Sequence, residues 1–157
     1  MSVLLSLKEK HADNILSGEK YIEVRKSFPK RYKRSFPVYL YQTMDANKDA
    51  GLVVGKATCQ AVYRMRAWSD EEYFRVVIGT MPYCADKIGN AKPIDGICIT
   101  QEELLRYQGH AKLYGWLLSK PVRFERPLAL DGFLDDSAHP IERAPQSWQY
   151  CWRPDGV

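Results

Sequence analysis

The stretch "FPVYLYQT" (residues 36–43) constrains this chain most, because it is apolar on both faces and rich in aromatic residues. A strand of that composition must be covered on both sides, so it reads as a stave between two packed layers. "GLVVGKATCQAVYRM" follows as a long strand in which Gly51 and Gly55 admit a bend or bulge. "AKLYGWLLSKPVRFE" is a second long run, one strand or two, punctuated by Pro121. "VLLSL" (residues 3–7) is a short buried strand, and "QSWQYCW" closes the chain with Trp148, Tyr150 and Trp152 on one face. Strands that outnumber helices, with pairing between the first and last thirds, predict an α+β fold built on a partly open β-barrel.

Three segments carry helical spacing. "KEKHADNILSG" places Ala12, Ile15 and Leu16 on one face and ends at Gly18. "TQEELLRYQG" has Thr100 as cap, Glu103 at the capping-box position and Gly109 as terminator. "SDEEYFRVVIG" reads as a third helix, capped by Ser69 or Asp70 with acids in its first turn. "LALDGFLDDSAHPIERAP" is loop-like. No repeat, low-complexity tract or linker divides the 157 residues, so a single domain over residues 1–157 is expected.

Several function classes are excluded. The apolar stretch of "MSVLLSLKEK" is too short for a signal peptide, and no run approaches the roughly 20 apolar residues of a membrane span. A cytoplasmic protein without membrane contact is expected. Cys59, Cys84, Cys98 and Cys151 lack the two-residue spacing of a zinc knuckle or redox pair, and their apolar neighbours suit core thiols. There is no phosphate-binding glycine loop, no dinucleotide fingerprint and no histidine pair at metal spacing, so neither cofactor nor metal is expected. His11, His110 and His139 lie far apart and read as surface or capping residues, and Glu102 and Glu103 as helix-start acids.

Charge is uneven. The chain has 23 Lys and Arg against 19 Asp and Glu, a net of +4. Residues 20–34 alone hold seven basic residues against Glu23, which leaves 16 basic against 18 acidic elsewhere. Positive charge concentrated in one segment is the electrostatic footprint of a polyanion-binding surface. The first half of that segment, "KYIEVRK", alternates, with Ile22 and Val24 inward, Glu23 and Arg25 on the other face, and Lys20 at the end of the inward row. If the next strand encloses these charges, Arg25 can hold a phosphate or base edge, Lys20 supplies a point charge, and Glu23 accepts an amine or activates water. Otherwise Glu23 and Arg25 form a solvent-facing pair. The second half, "KRYKR", is either a solvated loop or a phosphate clamp, with Phe28, Tyr32 and Phe36 offering faces for base stacking. The Trp148, Tyr150, Trp152 row reads as barrel core, whereas Gln146 and Ser147, polar at a strand's entry, are ligand-side candidates.

"SGEKYIEVRKSFP", after a helix that follows "LLSLKEK", resembles the ASCH family, the activating-signal-cointegrator homology domains of the PUA-like superfamily, in its bacterial and phage-associated form. "VYLYQT", "GICITQEELLRYQGHAKLYGWLLSKPVRFERPLAL" and "APQSWQYCW" resemble its next strand, late helix with return strand, and C-terminal strand. The resemblance implies a PUA-type β-barrel with a cleft for RNA or a nucleotide. Some small relatives are amidohydrolases that remove the acetyl group of N4-acetylcytidine, and others have been proposed to be ribonucleases. In the deacetylating members a lysine acts with a threonine three residues later and a downstream glutamate. Lys20 matches that lysine, Glu23 stands at the threonine position, and the position before Thr100 is apolar.

The expected function is binding of RNA, a nucleotide or a nucleoside at the barrel mouth by Lys20, Glu23, Arg25, Tyr41, Gln146 and Ser147. Lys26, Lys30, Arg31, Lys33 and Arg34 would contact phosphates. The alternative is a hydrolase of N4-acylated cytidine nucleosides, or a ribonuclease, in which Lys20 polarises and Glu23 is the general base. A second alternative is a protein-binding regulatory module that turns the basic loop toward an acidic partner. The strand of Ile22 and Val24 should neighbour that of Val38 and Leu40, so that Lys20 and Tyr41 line one depression.

Overall fold

In the computed structural model, which describes residues 1–154, the doubly apolar stretch forms β3 (Phe36–Gln42). Val38 and Leu40 face one apolar layer, Tyr39 and Tyr41 the other, and all four are buried. β1 (Ser2–Leu7) lies parallel to β3 on one side, and β4 (Leu52–Ser69) lies antiparallel on the other. β4 pairs in turn with β7 (Leu113–Ala129), β7 carries β2 (Ile22–Arg25), and β8 (Trp148–Cys151) pairs antiparallel with β1. The sheet order is β2-β7-β4-β3-β1-β8, with β5 (Tyr73–Ile78) and β6 (Met81–Lys87) as a hairpin on the far half of β4.

Register shifts along the β4–β7 ladder bend both strands and coil the sheet. Gly55 sits at one of them. A β-carbon there would strike the Val122 carbonyl and come within 2.7 Å of Leu16 in helix α1 (Glu9–Ser17). Pro121 does not divide β7, because it lies where the partner register jumps from Ser119 to Val122 and a ladder N–H is not needed. No ladder joins β2 to β8 among the described residues, so the barrel stays open there. Side chains bridge the seam instead: the Trp148 indole donates to the Ser27 hydroxyl at 2.9 Å, and Arg25 reaches Ser147.

Three apolar clusters hold the sheet. Val3, Leu5, Val38, Leu40 and Trp116 pack with Ala12 and Ile15 of α1. Leu4, Tyr39, Tyr41 and Val53 are covered by Phe133 and Ile141 of the long segment after β7. Ile22, Val24, Phe74 and Val76 pack with Leu104 of α2 (Gln101–Gln108). Each fully buried side chain of this size contributes roughly 1.5–3 kcal/mol of transfer free energy.

Two expectations are corrected. The segment expected as a third helix is the β4–β5 turn and β5. Asp70 does satisfy backbone donors, taking the N–H groups of Glu72 and Tyr73, but as a turn residue. Beyond it Phe74, Val76 and Ile78 alternate buried, the period of a strand. Likewise β2 and β3 are not neighbours. Both edges of β3 are taken by β1 and β4, which leaves β2 the outer edge of β7.

Candidate functional site

β2 exposes two different surfaces because successive side chains of a strand point to opposite faces. Ile22 and Val24 enter the apolar cluster under α2, while Glu23 and Arg25 face the opposite way. Lys20 precedes the strand in an isolated bridge to Gly96, and its side chain reaches back to Glu23. These charges lie at the base of a cavity of about 660 Å³. Its walls come from the end of β1 (Ser6, Leu7), from α1 (His11, with Lys8 just ahead of it), from the exit of β3 (Thr43, Met44, Asp45), from α2 (Glu103, Tyr107) and from Gln146 before β8.

Lys20 is 2% and Glu23 5% exposed. Charges so far from water persist only when paired and hydrogen-bonded. Lys20 Nζ lies 3.5 Å from Glu23 Oε1 and donates to the Ile97 carbonyl at 2.7 Å. Arg25 Nη2 lies 3.4 Å from Glu23 Oε2 and donates to the Ser6 carbonyl at 2.8 Å, while Nη1 donates to the Ser147 hydroxyl at 3.2 Å. Burial pushes the Glu23 carboxyl up, but Lys20 and then Arg25 outweigh it and hold its pKa at about 2. Glu23 is thus an ionised, acceptor-only group and a weak base at neutral pH. The general-base role considered for it suits this environment poorly, whereas accepting a hydrogen bond suits it well.

His11 belongs to the same cavity, although its isolation in the sequence pointed to a surface or capping role. Its Nδ1 is buried without a hydrogen-bond partner. Burial, followed by the Lys20 charge, lowers its pKa below the ordinary 6.5, with Glu23 opposing. The imidazole is neutral at pH 7. Tyr107, Glu103 and Thr43 also went unrecognised in the sequence. Glu103 and Tyr107, four apart on α2, share a helix face, which was the available signal.

Of the residues proposed from sequence, Lys20, Glu23, Arg25 and Gln146 line the cavity, and Ser147 holds Arg25. Tyr41 does not line it. The strand parity that puts Leu40 in one core puts Tyr41 in the other, against Leu4 and Phe133. Lys26, Lys30, Arg31, Lys33 and Arg34 are exposed and lie off the cavity lining, on the loop that leaves β2. Arg31 is engaged there: its two terminal nitrogens donate to the two Asp136 oxygens at 3.0 Å, and its guanidinium lies 4.2 Å from the Tyr150 ring centroid. The aromatic residues of this run face inward, Tyr32 stacked on Phe36 at 4.5 Å and Phe28 against Tyr114 at 4.7 Å.

The chain has the fold of solved ASCH proteins. The ASCH protein from Zymomonas mobilis matches with a TM-score of 0.64 and 21% identity, covering 99% of this chain and 90% of that one. A tyrosine-to-phenylalanine variant of the same protein gives 0.62 at 19% identity over 99% and 92%. A serine-to-alanine variant gives 0.60 at 18% over 99% and 90%. No family model and no curated protein matches the sequence. Among the described residues, no helix is long and apolar enough to cross a membrane, and no cluster of metal-ligating side chains forms.

Proposed function

We propose that this chain is an ASCH-type domain over residues 1–157 that binds RNA, through one nucleotide or nucleoside unit, in the cleft at the barrel seam. The observation that carries this reading is the buried Lys20–Glu23–Arg25 constellation at the base of a cavity of about 660 Å³. That volume lies within the roughly 300–1,000 Å³ of small-molecule sites. Glu23 offers acceptors to an exocyclic amine, and Lys20 and Arg25 offer donors to the acceptors beside it. Lys26, Lys30, Lys33 and Arg34 meet phosphates, while Arg31 anchors their loop to Asp136 and Tyr150. The setting we assign is cytoplasmic, with no cofactor.

Discrimination among bases is the test. A well-placed side-chain contact to a base edge is worth about 1–3 kcal/mol of discrimination, and Arg25, held by Ser6 and Ser147, sets Glu23 for one. Arg25→Ala, checked for folding by circular dichroism, should lose that much of the preference among short RNA sequences measured by fluorescence anisotropy. Unchanged preference in a folded Arg25→Ala protein would remove Arg25 from the site.

One observation favours a hydrolytic reading of the same cleft, namely the neutral imidazole of His11, whose Nδ1 lacks a hydrogen-bond partner, in the cavity that Lys20 also lines. Lys20 would polarise the carbonyl of an acylated pyrimidine nucleoside, Glu23 would hold Lys20 in place, and His11 would take the proton of the attacking water and return it to the exocyclic amine as the acyl C–N bond breaks. Release of acetate from N4-acetylcytidine, abolished by His11→Ala, tests it. Absence of release from the wild type removes it.

A further inference from the structure

We propose that Tyr107 is the platform on which the base of the bound nucleotide stacks, with Lys26 beside it for the attached phosphate. This rests on the nucleotide-cleft reading and adds to it the residue that holds the base's face. The buried triad supplies hydrogen bonds to a base edge but no flat apolar surface. A base entering the cleft needs one, since stacking supplies much of the affinity for single-stranded nucleic acid.

The aromatic rings of the basic run do not provide it, because Phe28, Tyr32 and Phe36 are engaged in packing. Among the described residues, Tyr107 is the only Phe, Tyr or Trp that lines the cavity, and it is 38% exposed. The other exposed large apolar side chain on the lining is Met44, at 75%. Tyr107 stands on α2, whose start is fixed by a reciprocal capping box and whose Leu104 is fully buried, so the ring is presented from a rigid element. Lys26 Nζ lies 4.7 Å from the ring centroid. That cation covers one face of the ring, so the base is assigned to the other face of this partly exposed, cavity-lining side chain. Lys26 is exposed and lies off the cavity lining, so its charge is assigned to the phosphate of the stacked nucleotide rather than to the base.

The probes are cytidine, cytidine monophosphate and a single-stranded cytidine hexanucleotide, titrated into wild type, Tyr107→Ala, Tyr107→Phe and Lys26→Ala. Tyr107→Ala should weaken all three by roughly 5- to 150-fold, the worth of one stacked base, while Tyr107→Phe stays within about twofold of wild type. Lys26→Ala should weaken the two phosphate-bearing probes and leave cytidine unchanged. The base protons of bound cytidine monophosphate should show an upfield ring-current shift that persists in Tyr107→Phe and disappears in Tyr107→Ala, an effect that loss of helix stability alone would not mimic. If the wild type binds the probes and Tyr107→Ala binds them equally well with the shift intact, the stacking role is wrong and the cleft reading stands. If the wild type binds none of them, the cleft reading fails and the platform with it.

Discussion

Three charges meet within 3.5 Å at Glu23, and their balance decides both stability and chemistry. Because folding lowers the Glu23 pKa to about 2 from the ordinary 4.5, the unfolded chain binds more protons between those values. The resulting stabilisation is complete above about pH 5 and is lost as the pH falls toward 2. Glu23→Gln should flatten that acid limb in urea denaturation. At neutral pH it should cost about 3–5 kcal/mol, since buried Lys20 is left without its carboxylate partner. The double change Lys20→Met with Glu23→Leu should cost less than Glu23→Gln alone. His11, held neutral by burial and by Lys20, should titrate below 6.5 in a proton NMR experiment, and Lys20→Met should move it upward. A His11 pKa at or above 6.5 would place the ring outside the cation's field. Lys20, Glu23 and Arg25 were legible as candidates because "SGEKYIEVRKSFP" resembles the ASCH pattern, whereas alternation alone left a solvent-facing Glu23–Arg25 pair equally open. Their mutual contact was not legible, because Lys20 reaches Glu23 from outside the ladder and their burial depends on distant cover from β1 and α2.

Elements deliver these residues, and two of them can be tested singly. α2 presents Glu103 and Tyr107 to the cleft, and its first turn depends on the Thr100–Glu103 capping box, with both bonds at 3.2 Å. Thr100→Ala should lower stability by about 1 kcal/mol in chemical denaturation and weaken nucleotide binding with it. Unchanged stability would mean that α2 is held by Leu104 packing alone. The loop after β2 divides differently. Replacing Lys30, Lys33 and Arg34 together by Ala should flatten the slope of log affinity against log salt by about two, at about 0.7 per contact with single strands. Arg31→Ala should change the slope less and should instead raise protease sensitivity of the loop, because Arg31 is tied to Asp136. An unchanged slope in the triple variant would make the loop a solvated surface. The helical elements were readable from their caps, Gly18 for α1 and Thr100 with Gly109 for α2. β5 was misread because an aspartate followed by acids satisfies backbone N–H groups equally at a helix start and at a turn. The alternation of Phe74, Val76 and Ile78 was the signal that should have prevailed.

Across the whole molecule, the long β4–β7 ladder brings β2 near β1 and β8 without pairing them. The cleft is the consequence of that open seam, and Arg25 spans it to Ser6 and Ser147. The barrel class was legible from long strands with internal glycines and from a doubly apolar β3. Strand order was not, since nothing local in "KYIEVRK" tells that β7 rather than β3 receives it. The seam gives the most direct test of the central claim. Backbone amide shifts of nitrogen-15-labelled protein, followed during titration with cytidine monophosphate and with single-stranded RNA, report where a ligand sits. Binding at the seam predicts perturbations concentrated at Lys20–Arg25, His11, Tyr107, Gln146 and Ser147, extending into the basic loop only with RNA. Perturbations confined to the β5–β6 hairpin or to the segment after β7, with the residues around Lys20 unmoved at saturation, would contradict it.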